Sequence, residues 1–225
     1  MGKVYEFSDG MSRGYLVTDK KNIVVDCGCD VTGKALKAVC EEAGITPEDI
    51  GLIVITHEHV DHFIGADTFK KLTGAPILCA KDTVPSLTEG LEPDVTPRDA
   101  SIKKPGTEGE PKPDFGEIPH VTPDIVIYSE FDLNPYGIGG KLILTPGHSD
   151  GSLSVLLDWN EAIVGDLIMS DEQTGEFRQA IFANCEEALS QSIHTLIYSG
   201  AQTFYSGHSG PCPLETLKDI YPECV

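Results

Sequence analysis

The feature that most narrows the fold is the apolar run Gly51-Leu52-Ile53-Val54-Ile55-Thr56, which stops abruptly at His57-Glu58-His59-Val60-Asp61-His62. An apolar run of this length bounded by polar residues reads as a buried strand. The histidines therefore begin where the backbone leaves a sheet. Three imidazoles and a carboxylate at offsets of 0, 2, 4 and 5 cannot share one helix face, and in a strand His62 would point away from the other three. A loop winding from strand into helix splits them instead. His57 and His59 would then face one metal ion, and Asp61 and His62 a second beside it.

Around this run the chain alternates strand and helix signals. Residues 4–7, 15–18 and 22–26 read as an opening antiparallel meander, with turns at Ser8-Asp9-Gly10 and Asp19-Lys20-Lys21-Asn22. Asp26 ends the third strand, where it either caps a turn or supports a metal ligand, since ligating imidazoles commonly donate their other N–H to a carboxylate or carbonyl. Val31, Ala35, Val39 and Ala43, flanked by Leu36 and Cys40, form a helical stripe that Gly44 stops. Thr46-Pro47-Glu48-Asp49 supplies an N-cap, a first-turn proline and acidic residues for one short turn. A helix should follow His62 through Lys71 and end near Gly74. Residues 76–80, 125–128, 141–145, 152–157 and 161–164 are further strands, and a long helix through Ala188, Leu189, Ser192, Ile193, Leu196 and Ile197 is closed by Gly200.

Between 85 and 123 the texture changes, with more than half of the fifteen prolines and no hydrophobic period. A stretch of this kind inside a domain is usually a functional loop or disordered, and here it reads as a lid or substrate-facing insertion in a single domain spanning 1–225. His120 within it and His194 within the last helix read as ordinary surface or packing residues.

Charge limits the partners. Sixteen basic against thirty-six acidic residues give −20, which repels nucleic acid phosphates and anionic membrane surfaces. No run approaches the roughly 18 apolar residues of a membrane span, and Met1-Gly2-Lys3-Val4-Tyr5-Glu6 opens neither a signal peptide nor a myristoylation signal. Seven cysteines without a C-x-x-C pair fit reduced thiols, with Cys27 and Cys29 as small buried hydrophobes. The expectation is a soluble, cytoplasmic protein that acts on a small molecule and binds neither nucleic acid nor membrane; a homodimer is compatible with it.

Three more potential ligands each follow a strand: His148 in Thr145-Pro146-Gly147-His148-Ser149, Asp166 after Gly165, and His208 after Tyr205-Ser206-Gly207. Loops at strand termini are where a rigid scaffold holds binding groups. With His57, His59, Asp61 and His62 they make five histidines and two aspartates, enough for two metal ions sharing one carboxylate.

This arrangement resembles the metallo-β-lactamase superfamily, whose H-x-H-x-D-H motif is matched by His57 to His62, and whose later ligands are matched by His148, Asp166 and His208. The resemblance runs from the first strands to His208. It implies an α/β fold, the αββα four-layer sandwich of mixed sheets with flanking helices, and a site along one edge. It places His57, His59 and His148 on a first metal, Asp61, His62 and His208 on a second, and Asp166 between them, with Asp26 behind a ligand. Imidazole and carboxylate donors without thiolate suit zinc, and also iron or manganese. Two divalent ions, two carboxylates and a bridging hydroxide leave about +1 at the site.

The implied chemistry is hydrolysis of an ester, thioester or lactone by that bridging hydroxide, with water's pKa lowered toward ~7 and the substrate oxygen polarised. Asp61 would orient the water or carry a proton to the leaving group. The nearest broad likeness is to glyoxalase II-like hydrolases and lactonases. Residues 167–172 lack the basic and tyrosine pattern of glyoxalase II, and Ser209-Gly210 stand where it has an acid and a tyrosine, so glutathione thioesters are not the expected substrates. Antibiotics are not expected either, because a cytoplasmic enzyme without a secretion signal would not meet the drug early. Two alternatives share the fold. The segment 145–151 resembles that of iron-dependent sulfur dioxygenases, and phosphodiesterase or ribonuclease-like members use similar ligands, although −20 has the wrong sign for a nucleic acid.

Overall fold

The computed structural model describes residues 2–8, 10–107, 111–171 and 174–225. In chain order its elements are β1 (Lys3–Ser8), β2 (Arg13–Thr18), β3 (Asn22–Val25), α1 (Lys34–Ala43), β4 (Ile50–Val54), α2 (Val60–Phe63), α3 (Ala66–Thr73), β5 (Ile77–Ala80), α4 (Val84–Glu89) and β6 (Ile125–Ile127). The second half contains β7 (Phe131–Asp132), β8 (Gly140–Leu144), β9 (Leu153–Leu157), β10 (Glu161–Ile163), β11 (Ile168–Ser170), β12 (Phe177–Gln179), α5 (Glu186–Ile197), β13 (Thr203–Tyr205), β14 (Cys212–Pro213) and α6 (Leu214–Ile220).

The strands form two six-stranded sheets, ordered β1-β2-β3-β4-β5-β6 and β14-β13-β10-β9-β8-β7, with β11 and β12 as a separate hairpin. Side chains alternate across a strand, and both faces of the central strands are apolar. Leu16, Val24, Ile53, Ile55 and Ile77 pack outward with Leu36, Val39, Phe63 and Phe69 of the helices. Their neighbours Tyr15, Val17, Ile23, Val25, Leu52, Val54 and Leu78 point the other way and meet Leu142, Leu153, Val155 and Ile163 of the second sheet. Ala162, Phe204 and the α5 residues Leu189, Ile193 and Leu196, with Leu217 of α6, close the far side. The result is the expected helix–sheet–sheet–helix stack, with one apolar layer between the sheets and one beneath the helices on each side.

Register explains where the loops converge. β3 and β4 run parallel with Val25 beside Val54, so Asp26 emerges next to Ile55 and Thr56, and its N–H donates to Val54 O at 2.8 Å. β10 and β13 are parallel with Ile163 beside Tyr205. Asp166 and His208 each lie three residues beyond that pair. β8 and β9 are antiparallel, paired to Leu144 and Leu153, and His148 lies in the loop between them.

The structure differs from the sequence reading in several places. The first helix begins at Lys34, not Val31, which is 55% exposed; the Asp30 carboxylate receives the N–H groups of Lys34, Ala35 and Leu36 and fixes the start. The helix after His62 is two helices, because the backbone N–H of Gly65 turns aside to Gly28 O at 3.0 Å. α5 ends at Ile197, before Gly200. The irregular stretch begins at Gly90, since residues from Pro85 belong to α4. Of the expected turns, Asp9 lies outside the described residues. Among the described residues no helix is long and apolar enough to cross a membrane.

Candidate metal centre

Seven side chains from four segments, each following a strand, meet at one edge of the stacked sheets. His57 Nε2 and His148 Nε2 each lie 3.0 Å from His59 Nδ1, and Asp166 Oδ2 lies 3.8 Å from the first and 3.7 Å from the second. Beside them Asp61 Oδ2 is 3.2 Å from His208 Nε2 and 3.7 Å from His62 Nε2. The ligand atoms of His57, His59, His148 and Asp166 fall within 4.8 Å of one another, as do those of Asp61, His62 and His208. Asp166 touches both groups, with Oδ1 3.3 Å from His62 Nε2 and Oδ2 3.1 Å from His208 Nε2.

What holds each ring decides which nitrogen faces inward. His62 Nδ1 lies 2.8 Å from Asp26 Oδ2, a carboxylate that also receives the Thr56 N–H and hydroxyl, each at 2.7 Å. His57 Nδ1 faces Thr56 Oγ1 at 3.0 Å; that hydroxyl already donates to Asp26, so it accepts from the imidazole. His148 Nδ1 donates to Phe182 O and His208 Nδ1 to Met11 O, both at 3.1 Å. The outer nitrogens thus carry the protons, and the Nε2 lone pairs of His57 and His148 point to a common centre.

Electrostatics divides the two groups. Burial, then the neighbouring rings, pushes His57 well below the usual imidazole range and His59 down to about 3; burial also lowers His148. Burial would lower His62 and His208 too, but Asp166 and Asp61 overcome it, lifting His62 well above its ordinary value and His208 to about 10. In turn His62 and His208 hold Asp61 at about 2 and Asp166 well below the carboxylate range, against the opposing effect of burial. A cation at the first group meets neutral lone pairs, whereas one at the second displaces protons.

The residues suit divalent ions. His62 Nε2 and Asp166 Oδ1 are buried with no hydrogen-bond partner, an arrangement that costs free energy unless another group satisfies them. Gly207 leaves room for one: a Cβ there would collide with Asp166 Oδ1 and His62 Cε1. Donors limited to imidazole and carboxylate match zinc, iron or manganese.

A model of the metallo-beta-lactamase superfamily matches residues 8–177. The chain belongs to that superfamily. This superfamily member is 32% identical over 159 residues to a probable metallo-hydrolase of Methanocaldococcus jannaschii, covering 71% of this chain and 68% of that one. It is 36% identical to the exodeoxyribonuclease WalJ of Streptococcus pneumoniae over 69 residues, which is 31% of this chain and 25% of that enzyme. Among solved structures the B3 metallo-beta-lactamase BLEG-1 superposes with a TM-score of 0.68 at 20% identity, covering the whole of both chains.

For this metallo-beta-lactamase superfamily chain, the seven residues singled out in the sequence, His57, His59, Asp61, His62, His148, Asp166 and His208, all lie in the cluster, with Asp26 directly behind it. His120 and His194 lie elsewhere, bonded to the carbonyls of Thr88 and Cys224. Sequence reasoning missed Thr56, which links Asp26 to His57, although a polar residue closing an apolar strand was a usable signal. It also missed the carbonyls of Met11 and Phe182, which have no side-chain signature. Glu58 was passed over between its histidines; its buried carboxylate receives Ser149 Oγ at 2.8 Å and Gly151 N–H at 3.2 Å, tying the motif to the His148 loop.

Proposed function

We propose that the chain, a metallo-hydrolase of the metallo-beta-lactamase superfamily, is a dinuclear enzyme that hydrolyses an ester, thioester or lactone. The observation that carries this reading is the Asp166 carboxylate, whose oxygens reach both groups of ligands. His57, His59 and His148 would hold one ion, Asp61, His62 and His208 the other, with Asp166 shared. Divalent ions bound there supply Lewis acidity toward a carbonyl oxygen and lower the pKa of water toward ~7. Zinc is the ion we favour, because hydrolysis needs no change of oxidation state.

The chain's own residues position and exclude. Asp26, Thr56 and the carbonyls of Phe182 and Met11 fix the rings, so the site need not reorganise during reaction. Asp61, at 16% side-chain exposure, borders the cavity above the cluster and is the carboxylate we assign to orienting water or passing a proton to the leaving group. Five cysteines are buried thiols, which suits a reducing compartment and supports a cytoplasmic location.

A phosphodiesterase is the second reading, favoured by the short similarity to WalJ. The net charge of −20 and a cavity lining without Lys or Arg among the described residues weigh against a nucleic acid. Elemental analysis of native protein, with a panel of ester, thioester, lactone and phosphodiester substrates and an oxygen electrode, tests all of these. Two zinc equivalents with acyl-ester turnover support the proposal. Iron with oxygen uptake would replace it with a sulfur dioxygenase, and phosphodiester turnover alone with a nuclease.

A further inference from the structure

Above the cluster is a cavity of about 450 Å³ whose floor is His59, Asp61, His148, Asp166 and His208. Its walls have a different chemistry. The irregular stretch after α4 contributes Pro93, Val95, Pro105, Pro113 and Phe115, while β11 adds Met169 and the segment after β12 adds Ile181 and Phe182. Val95, Phe115, Ile181 and Phe182 are only partly buried, so each keeps apolar surface for a ligand to cover. Among the described residues of these walls the ionisable one, Glu92, lies 2.7 Å from Lys112 Nζ, and the pair cancels its charge. No Lys or Arg lines the cavity among the described residues. An anionic tail would find no unpaired cation among the described wall residues, since Lys112 is already paired with Glu92, while an alkyl or aryl group would bury area on every wall.

We infer that this cavity receives the uncharged, apolar acyl group of the substrate, with Phe115 and Val95 of the insertion as specificity-determining residues. The inference rests on the ester-hydrolase reading of the site and narrows it to neutral acyl groups. Charge complementarity decides against carboxylated or phosphorylated tails, because desolvating an unpaired anion against Pro, Val and Phe is unfavourable.

The test uses zinc-loaded protein and p-nitrophenyl esters of acetic, butanoic, hexanoic and succinic acid, the last as its half ester. Burial of each methylene should raise kcat/KM about fourfold, hence about fifteenfold from butanoate to hexanoate, and the succinyl half ester should fall below butanoate. Phe115→Ala and, as a smaller change, Val95→Ser should flatten the slope with chain length. In a separate calorimetric titration, neutral octanamide should bind the wild type and bind Phe115→Ala roughly tenfold more weakly, the effect of losing about 1.4 kcal/mol. A flat chain-length profile, a preference for the succinyl ester, or octanamide binding indifferent to both substitutions would overturn the inference. If no ester turns over, the hydrolase reading fails, and octanamide binding still decides whether the walls take apolar groups.

Discussion

Asp26 Oδ2 and His62 Nδ1 lie 2.8 Å apart in a fully buried contact, joining the end of one parallel strand to the helix that follows its neighbour. Asp26 has a φ of 59°, a left-handed conformation that Asp and Asn tolerate better than other side chains. Asp26→Asn therefore keeps the turn, and the fold should survive by circular dichroism. Its amide nitrogen cannot accept from the donors that the carboxylate serves. Metal affinity, read by competition with a chromogenic chelator, should fall about 10- to 100-fold. Unchanged affinity would show that His62 is oriented without it.

Gly207 gives a sharper steric test. A methyl group there must displace Asp166 or His62, and both are buried. Gly207→Ala should lower the metal bound per chain, from the proposed two equivalents toward one, while the far-UV spectrum stays native. A full complement of metal would mean that the loop yields more easily than its N–H bond to Gly165 O, at 2.8 Å, implies.

Asp30 provides a pH-dependent prediction away from the metal cluster. Burial would raise its pKa, but donation from Thr32, Lys34, Ala35 and Leu36 outweighs this and holds it below the usual carboxylate value. A depressed folded pKa adds stability that is fully present above the unfolded value of ~3.9 and is lost as pH falls through the folded one. Asp30→Ala should cost about 1–2 kcal/mol in urea unfolding at pH 7. The gap from wild type should shrink below pH ~4, and a gap that persists there would assign the cost to packing.

The legibility of this chain follows from where its information is stored. Apolar runs ending before His57 and Asp166, and the Tyr205-Ser206-Gly207 strand end before His208, recorded where each strand stops, so the cluster could be read before its geometry was known. The parallel register that sets Asp26 beside Thr56 was not readable, because pairing between distant strands leaves no local pattern. The start of α1 misled for a related reason. Val31 continues the 3.6-residue period, but Asp30 competes for the backbone N–H groups and moves the start to Lys34. Carbonyl partners such as Phe182 O are open to any sequence, and the Pro-rich insertion has no period from which to infer its path.

Arg98 shows how that insertion is fastened. Its Nε lies 2.7 and 2.9 Å from the Glu186 carboxylate oxygens and its Nη1 donates to Ala180 O at 3.1 Å. Its backbone N–H donates to Ile181 O at 3.0 Å, and Pro97 bridges Phe182. The same segment offers the Phe182 carbonyl to His148, so one short stretch anchors both a cavity wall and a candidate ligand. Arg98→Met preserves much of the side chain's apolar length and removes its charge-assisted bonds, worth about 1–3 kcal/mol where partly buried. Limited proteolysis should then cut within residues 90–124 faster than in the wild type, and KM for a hexanoyl ester should rise severalfold with a smaller change in kcat. An equal loss in kcat, with less metal bound, would show instead that Arg98 acts through His148 and not through the wall.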